Sequence, residues 1–521
     1  MIDQRRCIGC HACTVACKEE NRVPLGAFRT WVKYVERGTF PDTRRHFGVL
    51  RCNHCDHAPC VTICPTIALY RRPDGIVDLD GARCIGCKSC MHACPYDALY
   101  IDPATQTAAK CHYCAHRVEV GLRPACVIVC PEEAIIAGDL DDPSTTIARL
   151  VASEPVQVRK PEQRTRPKVF YVGAETSVLT PRLQQPAASY MWGERPAAEV
   201  DLVRMVASVA ATTDAAQLSR PVYDAPHVPR PWGARVSAYL WTKSIAAGVL
   251  MVAALVGTAN PFARAAQRVA APDRPLATTT DPVIAVAAPL VSLIFLLLTT
   301  ALLIVDLKRP DRFHYILLKP NPRSWLVWGT WILLAFGASG GVWLAGGLLG
   351  FPGLISAVAI PAAILGLATA GYSAFLFGQA EGRDFWQSPL LLPHLMVAAM
   401  VAGAAALIVI GGPWSPPPAP CRGVFAAGLI LHAGLLALEL VRRHPEHDAD
   451  RAARLLTRGG YATRFWGGVV LAGIVGPLVL VQIAVASGST VAAVIAAVLA
   501  LGGLWLWEDL WVKAGQSVPL S

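Results

Sequence analysis

Charge is scarce in this 521-residue sequence: Asp, Glu, Lys and Arg make up 16% of it, against 54% hydrophobic residues. An ordinary soluble domain carries about 25% charge, so that class is excluded for the chain as a whole. The scarcity is uneven. Residues 1–235 hold 29 of the 47 basic and 25 of the 37 acidic side chains. Beyond them, charge sits in short clusters between long apolar runs. Also missing is an apolar stretch ahead of Cys7, which a secretory signal requires. Arg5 and Arg6 form a pair, but no apolar segment follows it, so a twin-arginine signal is not expected from this start. Basic residues are not gathered in a stripe with aromatics between them, which removes nucleic acid as a partner.

Cysteine, by contrast, is abundant and confined. Sixteen of the 17 cysteines lie within residues 7–130, in four quartets. These are Cys7, Cys10, Cys13 and Cys17; Cys52, Cys55, Cys60 and Cys64; Cys84, Cys87, Cys90 and Cys94; and Cys111, Cys114, Cys126 and Cys130. The first and third read C-x2-C-x2-C-x3-C, the run with which ferredoxins hold cubane clusters, the fourth Cys serving a different cluster from the first three. Pro65, Pro95 and Pro131 follow the last Cys of three quartets, while Lys18 takes that place in the first. A tight loop delivers three thiolates to neighbouring iron corners, and the fourth corner needs a ligand from elsewhere. Small residues such as Gly9, Gly86 and Ser89 let backbone N–H groups reach the sulfurs, which tunes potential. Disulfides fit poorly, because triplets at this spacing have the wrong geometry and no export signal is seen. Structural zinc prefers paired C-x2-C knuckles.

The quartets resemble the iron–sulfur subunits of the dimethyl sulfoxide reductase and polysulfide reductase families. The resemblance covers about residues 1–185. It includes the C-x2-C-x4-C-x3-C-P second quartet, the C-x2-C-x11-C-x3-C-P fourth quartet and the stretch RTRPKVFYVGAE, Arg164–Glu175. It implies an α+β ferredoxin-like fold of two intertwined dicluster modules, with four [4Fe–4S] clusters on crossed ligands. One cluster would use Cys7, Cys10, Cys13 and Cys130, and a second Cys17, Cys111, Cys114 and Cys126. A third would use Cys52, Cys55, Cys60 and Cys94, and a fourth Cys64, Cys84, Cys87 and Cys90. In that family the first lies nearest the catalytic subunit and the fourth nearest the membrane.

The runs Gly75–Leu79 and Ala98–Ile101 have strand character and suit the small hairpins of such a fold. The apolar core is thin, so much of the stability is expected from the clusters. The cluster domain is placed at residues 1–138. Residues 139–235 are dense in proline, which blocks long helices; apart from Ala197–Gln217, with moderate helical character, they read as an extended tether packed on the cluster domain and lying over the membrane surface. The histidines among the Cys loops and the lone Cys421 receive no role.

Residues 236–521 read as an all-α polytopic membrane bundle. Eight runs have the length and apolarity of a bilayer span: 236–258, 282–306, 325–349, 354–378, 389–411, 424–441, 466–486 and 490–507. Several Trp residues sit near their ends, as in an aromatic belt. Flanks and loops on the N-terminal side carry 16 Lys and Arg, and those on the other side 4. Basic loops stay inside, so the cluster domain is expected on the cytoplasmic side of an inner membrane.

This half is similar to the integral-membrane subunits of polysulfide reductase and formate-dependent nitrite reductase, through Asp306–Ser324 and the YLWTKSIAAG start of the first span. The similarity implies exchange with quinone, menaquinone or ubiquinone, and generally no haem. Accordingly His394 and His432 are read as hydrogen-bonding side chains and not as haem ligands. Quinone chemistry moves two protons with two electrons and needs acid–base groups near the ring. Lys243, Asp306 and His314 are the candidates. Glu439, near the end of the sixth span, reads as a snorkelling side chain.

No nucleotide-binding glycine loop is present, and no pterin domain fits the length. Substrate chemistry is therefore expected on another polypeptide, which the family resemblance implies to be a molybdenum or tungsten bis-pterin subunit acting on formate, sulfite or polysulfide or thiosulfate. Two rival readings are a subunit of a larger cytochrome-containing respiratory complex and a membrane-tethered redox sensor.

Overall fold

The computed structural model describes residues 1–38, 41–184, 219–225, 231–257, 281–412, 419–441 and 447–521. The expected helical stretch Ala197–Gln217 lies outside them. Two compact units emerge. One holds Met1–Pro231 with Ala380–Gly382 and Pro519–Ser521; the other holds Trp232–Gln379 and Arg383–Val518.

The first unit is built from short elements because Cys loops and prolines interrupt the chain. It opens on a two-residue strand, β1 (Ile2–Asp3). Its longest strands, β2 (Thr30–Arg37) and β3 (Arg44–Arg51), pair in unbroken antiparallel register from Thr30↔Arg51 to Arg37↔Arg44. In the first quartet Lys18 stands where the others have proline, and its helix, α1 (Ala12–Glu20), runs on past Cys17. The second and third quartets each pass through a five-residue helix, α2 (Pro59–Ile63) and α3 (Ser89–Ala93), into a two-stranded hairpin. The hairpins are Leu69–Arg71 with Val77–Leu79 and Leu99–Ile101 with Ala108–Lys110, so both expected strands form. Cys64 and Cys94, which end these helices, are extended, as the residue before a proline prefers.

The chain beyond residue 138 is more structured than its proline content led us to expect. Thr146–Ser153 forms a two-turn helix capped by Thr145. Tyr171–Val172 pairs in parallel with β1. Val169, Tyr171, Ala174 and Leu179 are buried with Ile2, Val32, Val49 and Ile135 in one apolar core, and the Tyr171 hydroxyl donates to Val49 O at 3.0 Å. Arg220–Tyr223 adds a third strand to the β2–β3 sheet. Just beyond it Asp224 forms a buried ion pair with Lys33, at 3.0 Å.

The second unit contains eight helices long and apolar enough to cross a bilayer among the described residues. They are Ala234–Val256, Val283–Asp306, Trp325–Leu348, Pro352–Gly378, Leu391–Gly411, Pro420–Leu440, Arg464–Ser487 and Thr490–Gln516. The first and fifth are buried on most sides, and they cross where two glycines meet. A Cβ on Gly248 would lie 1.8 Å from Ala399 O, and one on Gly403 2.0 Å from the Gly248 carbonyl carbon. Small residues allow such close approach in lipid, where packing replaces the hydrophobic effect. The eighth helix outruns its expected end by nine residues, carrying Glu508, Asp509 and Lys513 on its last turns.

Candidate functional site

The Cys loops turn through left-handed backbone at Gly9, His11, Gly86, Lys88, Tyr113 and Cys114, which brings N–H groups round toward the sulfurs. Leu69 N donates to Cys64 Sγ, Ala108 N to Cys84 Sγ and Tyr113 N to Cys111 Sγ, each at 3.4 Å. Ala134 N donates to Cys130 Sγ at 3.3 Å. Such donors favour thiolate over thiol.

The four quartets of the sequence are regrouped in space. Cys7, Cys10, Cys13 and Cys130 line one cavity of about 340 Å³, with Val32 and Val49 of the sheet beneath. Cys17, Cys111, Cys114 and Cys126 line another of about 280 Å³, closed by Asn21, Arg29 and Arg51. The remaining thiols also fall into two groups. Cys55 and Cys60 both lie within electrostatic reach of Cys52 and Cys94, and Cys87 and Cys90 of Cys64 and Cys84. Electrostatic reach links the groups one to the next: Cys126 acts on Cys13, Cys52 on Cys111, and Cys60 on Cys90.

Burial pushes the Cys13, Cys55 and Cys111 thiols up to about 12. Buried thiolates need a cationic centre to replace their protons. Among the described residues no three His, Cys, Asp or Glu side chains converge tightly enough for a single metal ion. A cubane spreads its thiolates over four iron corners, so these wider cavities fit a cluster and not zinc. One cation is built in: Arg51 is 4% exposed and donates from Nη2 to Cys126 Sγ at 3.2 Å.

In the helical unit the three acid–base candidates sit on different elements. Lys243 is fully buried on the first span; its Nζ donates to Ser373 Oγ at 2.6 Å and Ala370 O at 3.1 Å, and lies 4.8 Å from the centre of the Tyr372 ring. Asp306 ends the second span. His314 stacks edge-on against Tyr315, with ring centres 4.6 Å apart. None of them lines the apolar cavity found among the described residues of this unit. That cavity is bounded by Leu240, Ser388, His394, Glu439, Trp507 and Glu508 with neighbouring Leu and Trp side chains. Glu439 does not snorkel to water: it is 3% exposed and accepts from Ser388 Oγ at 2.6 Å. Glu508 accepts from Ser244 Oγ at 3.4 Å and lies within electrostatic reach of Lys243. Sequence reasoning missed Glu508 because the charges after Trp507 looked like the end of a span. The indoles at positions 507 and 511, one turn apart, were the signal that the helix continues. Cys421 is buried and donates to Ala404 O at 3.6 Å.

Two family descriptions match the chain: "4Fe-4S dicluster domain" over residues 44–140 and "Polysulphide reductase, NrfD" over residues 222–519. Among curated proteins, the chain is 47% identical over 200 residues to the B component of tetrathionate reductase from Salmonella typhimurium, covering 37% of this chain and 79% of that protein. It is 42% identical over 175 residues to the B component of polysulfide reductase from Wolinella succinogenes, covering 33% and 91%. It is 46% identical over 166 residues to the thiosulfate reductase electron transfer subunit PhsB of Salmonella typhi, covering 31% and 85%.

Proposed function

Since the chain belongs to the polysulphide reductase NrfD family and carries a 4Fe-4S dicluster domain ahead of it, we propose that it is the electron-transfer and membrane-anchor subunit of a quinone-linked reductase complex. It is a multi-pass membrane protein, and its two functional halves are fused in one polypeptide. The observation that carries the reading is the regrouping of sixteen cysteines into four adjacent sets in a chain that also has eight membrane-length helices. When bound, [4Fe–4S] clusters supply one-electron carriers.

The ligand sets are Cys7, Cys10, Cys13 and Cys130; Cys17, Cys111, Cys114 and Cys126; Cys52, Cys55, Cys60 and Cys94; and Cys64, Cys84, Cys87 and Cys90. The two cavities and the electrostatic links from group to group support these sets. Held by these sets, the clusters would supply single-electron carriers between a two-electron quinol couple and a partner. The polar loops hold the sulfurs, their N–H donors stabilise thiolate, and the sheet keeps water out.

Catalysis belongs to a partner, a molybdenum or tungsten bis-pterin subunit; the names of the tetrathionate, polysulfide and thiosulfate reductase relatives support a sulfur-compound substrate. The surplus of Lys and Arg in loops on the N-terminal side supports a cytoplasmic cluster domain. The test is isolation of the chain from its native membrane in mild detergent, with metal analysis. About 16 iron atoms per chain are expected from four cubanes, together with a large molybdenum- or tungsten-containing partner. A cytochrome-rich assembly lacking both metals overturns the partner assignment.

A further inference from the structure

A cavity of the helical unit gathers buried acid–base groups that the fold satisfies only in part. Glu508 and Glu439 are 4% and 3% exposed, and each leaves one carboxylate oxygen, Oε2 and Oε1 respectively, without a hydrogen-bond partner. An orphaned buried carboxylate oxygen is costly, and two facing one cavity are costlier still. A fold keeps such groups when something that enters the cavity satisfies them. The walls are apolar: Leu240 from the first span, Leu391 and Leu395 from the fifth, Trp507 and Trp511 from the eighth. His394 adds an imidazole whose ring centre stands 5.8 Å from that of Trp507. Apolar walls with a few convergent polar groups describe a ligand pocket.

The lining residues share one end of the bundle. They lie near the starts of the first and fifth spans, near the ends of the sixth and eighth, or, for Ser388, just ahead of the fifth. This is the end at which the chain enters the bundle. A flat ring with two hydroxyls, apolar faces and two protons to lose matches this lining group by group.

We infer that this cavity, and not the neighbourhood of Lys243, Asp306 and His314, is where the quinol ring binds, with Glu508 and Glu439 as its two proton acceptors. The inference rests on the quinone reading proposed above and adds its place and its residues. A quinol bound here loses both O–H protons, one to each carboxylate, with His394 positioned to hydrogen-bond a ring oxygen. Its two electrons leave one at a time to the iron–sulfur centres of the same chain, and the ring becomes quinone. In the opposite direction the carboxylic acids return the protons. Lys243 acts at one remove: its charge reaches Glu508 without the amine lining the cavity.

The test uses the full-length, cluster-loaded chain in mild detergent and two readouts. One is binding of 2-heptyl-4-hydroxyquinoline N-oxide, followed by quenching of its fluorescence; the other is bleaching of the cluster absorbance by a short-tail naphthoquinol. Leu240→Trp fills the cavity and is expected to weaken probe binding at least about tenfold, a loss of ~1.4 kcal/mol. Ala398→Leu repeats the steric test from the fifth span should the tryptophan disturb the first. Glu508→Gln keeps the shape, so probe binding stays near the native value while naphthoquinol oxidation falls about 100-fold, as loss of a general base predicts. If the two filling variants bind the probe as the native protein does, the site lies elsewhere and the inference fails. If the native protein neither binds the probe nor is reduced by naphthoquinol, while dithionite bleaches it, the quinone reading itself fails and the site with it. A haem found in the protein by pyridine haemochrome assay would assign His394 and His432 to that group and equally overturn the site.

Discussion

Arg51 donates from its guanidinium to Cys126 Sγ at 3.2 Å, inside the first unit and away from solvent. The same charge acts on Cys111 and Cys13, so it stands between the two cysteine groups that hold Cys13 and Cys126. A fixed positive charge beside a thiolate-ligated cluster stabilises the reduced, more negative state and raises its potential. Arg51→Gln is therefore expected to lower the potential of the cluster on Cys17, Cys111, Cys114 and Cys126 most, the cluster on Cys7, Cys10, Cys13 and Cys130 less, and the other two little. Arg51→Lys, which keeps the charge, should recover part of the shift. A potentiometric titration followed by EPR resolves this. Four unmoved potentials would remove Arg51 from any electrostatic role.

The proposed crossing of ligands between quartets makes a second expectation sharp. Cys13 and Cys17 are neighbours on α1, one turn apart, yet they face different cavities. Cys17→Ser should perturb the same EPR signal as Cys111→Ser and leave the signal lost in Cys13→Ser unchanged. Grouping by sequence instead, with Cys13→Ser and Cys17→Ser acting on one signal, would refute the crossed assignment. Iron content of each variant, read against the native chain, distinguishes a converted cluster from a lost one.

Lys33 and Asp224 make the buried ion pair of the cluster unit, with side chains 2% and 6% exposed. Removing one partner of such a pair leaves a charge without compensation, at a cost of about 3–5 kcal/mol. Lys33→Met is expected to lower the temperature at which cluster absorbance is lost, by an amount that Lys33→Met with Asp224→Leu largely restores, since the apolar pair removes both charges. Equal loss in the single and double variants would mean that packing, and not charge, is what the pair contributes. Because Asp224 follows the strand that leads toward the first span, the same variants report on how firmly that segment is held to the sheet.

What the sequence disclosed depended on how much covalent or solvent chemistry constrained each residue. A 4Fe-4S domain was legible in the cysteine quartets because iron corners demand fixed spacing, and no other use of Cys-x2-Cys-x2-Cys-x3-Cys competes well. The eight spans were legible because hydrocarbon tolerates few charges. Hydropathy also concealed Glu508: an acidic side chain three-quarters along a helix looks like its exit to water until neighbouring helices are seen to bury it. Glu439 misled for the same reason, a terminal position standing in for exposure. The stretch Val169–Leu179 was hidden by the prolines on either side of it, Pro167 and Pro181, which forbid long helices but allow the short strand at Tyr171 that closes the core. In each case the missing information was a partner far away in the chain, which periodicity cannot carry.

The crossing of the first and fifth spans offers a test that joins fold to site. Gly248 and Gly403 bring two backbones together, and the atoms a Cβ would strike are main-chain atoms, Ala399 O and the Gly248 carbonyl. Main chain does not yield as a side-chain tip does, so Gly248→Leu has to push the helices apart. Overpacking of this kind costs about 1–3 kcal/mol or more. Gly341, on the third span, meets nothing within 4 Å of its added Cβ, and Gly341→Leu is the matched control. The expected outcome is a lower melting temperature in detergent for Gly248→Leu and an unchanged one for Gly341→Leu. Leu240, Leu391 and Leu395 ride on the two separated helices and line the cavity. Gly248→Leu should therefore also weaken binding of the quinoline probe, although it touches nothing that lines the pocket. Loss of stability with unaltered probe affinity would show that the cavity is held by the sixth and eighth spans alone.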